Sequence, residues 1–186
     1  GVGLAEVPNP SAMFLSERSA AVPGSIVTAS MEGTRPILAE VQALVATSTF
    51  GTPRRTVLGT DTNRVALLAA VIEKKLGLSM AGQDIFVNIA GGLRLNEPAV
   101  DLAVSMAIVS SFLNKELPQR CIIVGEVGLT GEIRAVPQLE QRLYEASKMG
   151  FDMCLVPNTG LKSVKAPNGT KMLGVKNIEE AVGILF

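Results

Sequence analysis

Residues 91–113 read GGLRLNEPAVDLAVSMAIVSSFL. A Gly-Gly loop leads into a helix start, where Asn96 or Glu97 can cap free N–H groups and Pro98 suits the first turn. Leu102, Met106, Val109 and Leu113 then recur at helical spacing, with Ala99, Ala103 and Ala107 beside them. So little of this helix is polar that it is expected to be buried. A glycine loop delivering the chain into a buried helix is a common frame for presenting one reactive side chain. The side chain at that point is Ala99, which has no chemistry. The frame of an active site is there and the reactive group is not.

Working outward, DIFVNIA (84–90) alternates and reads as a strand feeding the loop. Upstream of it, Asp61 or Thr62 can cap a helix running to about Leu76, with Val65, Leu68, Ala69, Ile72 and Leu76 as its stripe and Gly77 as its stop. SIVTA (25–29) and ILAEVQALVAT (37–47) flank the turn signals of MEGTRP (31–36) and predict a hairpin or two adjacent antiparallel strands. GTPRR (51–55) is a loop, followed by a short strand at 56–58. Residues 1–24 hold three prolines and read as an extended connector with a helical turn near 11–18. The absence of an initiator Met raises the expectation of a piece from a longer protein.

Downstream of the central helix, residues 121–124 predict a short buried strand, and the three glycines of GEVGLTGEIRAV (125–136) a hairpin-like turn. Leu139, Leu143 and Ala146 mark a helix to about Lys148. Residues 152–156 and 172–175 read as strands around a polar loop at 157–168. The last helix spans 177–185, with Asn177 and Glu180 at capping-box spacing. A β-rich start followed by β-α units predicts one α/β or α+β domain over 25–186.

The chain has 186 residues, 47% hydrophobic and 18% charged, enough for one well-cored domain and unlike a disordered chain. Formal net charge is zero. Any nucleic-acid contact must therefore use a local patch. No apolar run reaches the roughly 18 residues of a membrane span, and no signal peptide is apparent. Cys121 and Cys154 sit in strand-like apolar runs and read as buried free thiols of a reducing compartment. The chain has no histidine, CxxC or GxxxxGK[ST], which argues against a zinc site, a His-dependent triad and a P-loop.

Arg54 and Arg55, on a Pro-initiated loop, and Arg64, opening the next helix, are the nucleic-acid candidates expected to converge. Their alternative use is a salt bridge between subunits. Lys74 and Lys75 close that helix and are weaker candidates, since they also complement its dipole. Gly91, Gly92, Gly125, Gly128 and Gly131 can cradle a phosphate or simply supply positive φ and close packing. With one Tyr and no Trp, a base-stacking platform is not expected.

Residues 86–156 resemble the proteolytic domain of Lon-type ATP-dependent proteases, related to the ribosomal protein S5 domain 2-like fold. That family carries PKDGPSAG, whose Ser is the nucleophile. The matching run here is RLNEPAVD (94–101), which keeps Pro98, places Ala99 at the nucleophile and Asp101 at the following Gly. Gly125, Glu126, Val127 and Gly131 fit the next motif, and counting forward without gaps puts Glu140 at the position of the general-base lysine. A Ser–Lys dyad needs a hydroxyl and a neutral lysine. Ala99 and Glu140 supply neither, and Ser105 lies nearly two turns along the helix.

GLAEVPNPSAMFLSER (3–18), PGSIVTASMEGTRPILAEVQALV, PRRTVLGTDTNR, DIFVNIAGGLRL and VGEVGLTGEIRAVPQLEQR are more similar still to the C-terminal Lon-like domain of the RadA (Sms) family of bacterial DNA-repair proteins. The resemblance covers essentially the whole chain. It implies a connector over 1–24 from a RecA-like ATPase core. It also implies a hexameric ring of like chains, contact with single-stranded or branched DNA, and a RecA-type recombinase as partner in the bacterial cytoplasm. ATP, Mg and Zn are implied for the N-terminal ATPase core and zinc finger, none for this segment. An active Lon-type peptidase and a purely structural oligomerisation domain are the alternatives carried forward.

Overall fold

A computed structural model describes residues 3–4, 9–16, 18 and 20–186, with the side chains of residues 13 and 14 outside the description. The predicted hairpin is formed by β1 (Ser25–Glu32) and β2 (Arg35–Thr47), antiparallel and in register from Ser25 opposite Gln42 to Glu32 opposite Arg35. Only Gly33 and Thr34 are left for the turn. Both strands therefore run further into MEGTRP than expected, because a two-residue turn with Gly33 at φ 61° suffices.

β2 pairs on its other side with antiparallel β4 (Gln83–Ile89), and β4 with parallel β3 (Arg55–Leu58) at the edge. Beyond β1, three strands add in parallel: β5 (Cys121–Ile123), β8 (Met153–Pro157) and β9 (Lys171–Val175). The sheet order is β3-β4-β2-β1-β5-β8-β9. The predicted glycine-rich hairpin is a separate ribbon of β6 (Glu126–Val127) and β7 (Ile133–Arg134). The chain is thus an α/β domain on a mixed, largely parallel sheet.

Residues Ser25 to Ser30 of β1 are all buried, so this strand is covered on both faces. Ile26, Ala39 and Val41 point into one core with α2 (Thr62–Leu76), α3 (Asp101–Leu113) and α5 (Ile178–Leu185). Val27, Ala29 and Leu38 point into the other with α4 (Leu139–Lys148) and α1 (Pro10–Leu15). The first layer reaches β4, where Ile85, Val87 and Ile89 are buried. On the second face α4 and α1 stop short, which leaves Leu44, Leu58 and Phe86 at the surface.

Asp61 caps α2 by accepting from Asn63 N, and Gly77 ends it in the left-handed conformation. Asn177 caps α5 by accepting from Glu180 N. The capping box does not close, because the Glu180 carboxylate accepts from Lys176 N instead. Asn9 caps α1, the turn expected near 11–18. Ser11 is fully buried there; its hydroxyl donates to Glu145 Oε1 (2.9 Å) and accepts from Leu38 N (3.0 Å). Of the segment expected as connector, residues 1, 2, 5–8, 17 and 19 lie outside the described residues. Cys121 and Cys154 are buried free thiols on neighbouring strands, and burial pushes both up to about 12.

Candidate functional site

The entry to α3 is a 3-10 turn, Pro98–Val100, preceded by another at Ala90–Gly92 in which Gly91 has φ 79°. Glu97 occupies the cap position without making a cap hydrogen bond, so the capping role expected of it is not realised. Ala99 is buried, and its carbonyl accepts from Gly125 N at 2.8 Å while Leu102 N donates to Gly125 O at 3.0 Å. This clasp draws α3 against the end of β5. A Cβ at Gly125 would sit 2.9 Å from Ile133 Cγ2 and 3.2 Å from Leu102 Cδ2, so the glycine there serves close packing.

Two ion pairs fill the corner around Ala99. Asp101, almost wholly buried in the first turn of α3, takes a two-pronged bond from Arg64 and a third from Val127 N at 3.1 Å. Donating that bond to the Asp101 carboxylate raises the pKa of the Arg64 guanidinium above its ordinary value. Glu97 takes a two-pronged bond from Arg142 and accepts from Met31 N at 3.0 Å. Burial by itself would raise the Glu97 carboxyl; its hydrogen bonds from Arg142 and Met31 outweigh that and hold it below the usual range. Between Thr60, Arg64, Asn96, Glu97 and Asp101 there remains a cavity of about 40 Å³, room for about one water and not for a peptide.

Glu140 is not at this corner. It is exposed in the first turn of α4, and its carboxylate accepts from Lys165 N at 2.9 Å. The residue of α4 that reaches the corner is Arg142, which has no exposed surface. Two positions on a helix are about 200° apart, so gap-free counting selected the solvent face where the buried face carries the contact. Sequence reasoning did not bring Glu97 and Arg142 together beside Ala99, because a pairing across 45 positions leaves no local signal. Two serines of α3 hold backbone from distant segments. Ser110 accepts from Gly24 N and Ser111 from Val45 N. Ser105 is buried with no partner among the described residues.

The nucleic-acid candidates do not converge as expected. Arg55 donates to the carbonyls of Met80 and Gln83, beyond the C-terminal end of α2. Arg64 is in the first turn of α2, about 18 Å of helix away. Arg54 keeps a side chain 73% exposed, loosely paired with Asp84 at 3.8 Å. Lys74 and Lys75 are exposed in the last turn of α2, where they complement the helix dipole. Arg54, Lys74 and Lys75 are therefore the accessible cations of the five.

A family model described as subunit ChlI of Mg-chelatase matches residues 40–160, about two thirds of the chain. The chain belongs to the ChlI family. The matched span of this ChlI-family domain runs from within β2 to just beyond β8 and contains Ala99, Glu140 and both ion pairs. Among curated proteins, DNA repair protein RadA of Bacillus subtilis is 51% identical over 180 residues, 97% of this chain and 39% of that protein. RadA of Streptococcus pneumoniae is 50% identical over 185 residues, 99% of this chain and 44% of that protein. RadA of Halalkalibacterium halodurans is 47% identical over 182 residues, 98% and 40% respectively. The resemblance to RadA therefore holds along nearly the whole chain. The chain spans about two fifths of the length of the curated relatives it matches. No described helix is long and apolar enough to cross a membrane.

Proposed function

We propose that this chain is a non-proteolytic, Lon-like part of a RadA-type DNA-repair ATPase. It serves as the scaffold of a hexameric ring and as a surface that contacts DNA during processing of branched intermediates. The observation that carries this reading is similarity along nearly the whole chain to proteins named DNA repair protein RadA. Loss of proteolysis is supported by Ala99 and by the closed, ion-paired corner around it. Assembly is supported by the uncovered apolar sheet face, where Leu44 is 60% and Leu58 64% exposed. ATP, Mg and Zn, and contact with a RecA-type recombinase in the bacterial cytoplasm, belong in this reading to the longer protein.

The test is binding of the chain to labelled single-stranded and duplex DNA at two salt concentrations, with light scattering for its assembly state. The expected result is an oligomer whose DNA affinity falls as salt rises. A monomer without DNA affinity would defeat the reading. Arg55 and Arg64 are held by internal bonds, and this favours a second reading, a ring scaffold with no DNA contact. An oligomer that binds no DNA even at low salt would select it.

A further inference from the structure

An open groove of about 580 Å³ runs along the outer side of α4, and Ala99 is not among its lining residues. Its walls are the hairpin residues Arg35 and Pro36, the exposed side of α4, and the segment 165–167. The bond from Lys165 N to Glu140 fixes that segment to α4, so the wall is held in place. Tyr144, 62% exposed, lines the groove and is the single tyrosine in a chain with no tryptophan. Lys148 Nζ stands 5.8 Å from the centre of its ring, within cation–π range.

The charges around the ring favour an anion. Arg35 and Lys165 are exposed and, among the described residues, neither is in an ion pair, while Lys148 is shared with Glu145. Pro36, Ala166 and Pro167 add apolar surface beside the ring. A second hollow of about 380 Å³ shares Glu140 and Gln141 with the first. An exposed aromatic face among cations is how unpaired bases and their phosphates are held together; in a duplex the base faces are already stacked.

We propose that the Tyr144 groove binds single-stranded nucleic acid, with a base stacked on Tyr144 and the flanking phosphates on Arg35 and Lys165. The proposal rests on the DNA-contacting reading above and names the surface that carries it. Glu140 lines the same groove and opposes a polyanion, so its neutralisation strengthens binding.

A chain with one tyrosine and no tryptophan reports on this groove through its own emission. The experiment titrates the 186-residue chain with a single-stranded oligothymidylate, reading tyrosine emission, and measures affinity by anisotropy for variants checked for folding by circular dichroism. The expected results are quenching of Tyr144 and about tenfold or more weaker binding in Tyr144→Ala, with Tyr144→Phe retained. Arg35→Ala/Lys165→Ala should reduce the salt slope by about 1.4, two single-strand phosphate contacts. Glu140→Gln should bind severalfold more tightly. Salt-sensitive DNA binding with unchanged emission and full affinity in Tyr144→Ala would overturn the groove and leave the DNA-contacting reading standing. No binding by the folded chain at low salt would overturn both. Quenching by a proline-rich peptide but not by DNA would reassign the groove to a protein partner and overturn the proposal.

Discussion

Arg142 is a guanidinium with no exposed surface, satisfied by four oxygens: Ala29 O at 2.7 Å, Pro137 O at 2.9 Å and both carboxylate oxygens of Glu97. Breaking such a pair on one side leaves polar groups stranded, whereas removing both charges costs less. Arg142→Met is expected to lower the unfolding free energy by about 3 kcal/mol, and Glu97→Gln/Arg142→Met by less, as measured by urea unfolding. The sign of the pH effect follows from the Glu97 carboxyl lying below its ordinary value. Stability from this group is fully present above its unfolded value of 4.5 and is lost as pH falls through the lower folded value. Acid unfolding should therefore begin below about pH 4.5, and Glu97→Gln should remove that component. At Ala99 the expectation is negative. Ala99→Ser restores a hydroxyl but no lysine, because Glu140 lies on the far side of α4. A fluorogenic peptide assay should give no rate above the blank.

At the scale of elements, local signals placed most boundaries correctly because they are local physics. The Asp61 cap, the Gly77 stop and the Asn177 cap each act within one turn of their helix. Gly59 joins β3 to α2 with φ 90°, and its carbonyl accepts from Leu95 N at 2.7 Å. A Cβ there would lie 2.7 Å from both Ile89 Cβ and Leu93 O. Gly59→Ala combines strain with a clash against backbone and should cost about 3 kcal/mol, a drop in melting temperature readable by calorimetry. The rotation of α4 about its own axis is the element property that separated Glu140 from Arg142. Residue counting fixes position along a helix, but packing against Ala29 and Glu97 fixes which side faces inward.

For the whole molecule, the main feature is a sheet that its own helices cover unevenly. α2 and α3 close one face out to β4, while the face bearing Leu44, Leu58 and Phe86 stays open. The edge strand β3 is four residues long and begins at Arg55, with exposed Arg54 before it, which discourages strand-to-strand addition at that edge. Association is thus expected through the face. Leu44→Lys/Leu58→Lys should shift light-scattering mass toward the monomer and leave circular dichroism unchanged. An unaltered oligomer would show that assembly uses another surface.

The sequence determined the α/β class, nearly every strand and helix, and the buried character of α3. Each of these is set by residue type and by periodicity within a few turns, which one chain displays directly. The tertiary structure alone decided the strand order, the sorting of charges and the surface left open. Glu97 meets Arg142 across 45 positions and Arg64 meets Asp101 across 37, separations over which periodicity carries no information. The lone tyrosine likewise gave no hint of a site until the hairpin tip, α4 and the segment 165–167 gathered cations around it. A pair or a groove exists only once distant segments pack, and packing is a property of the folded chain.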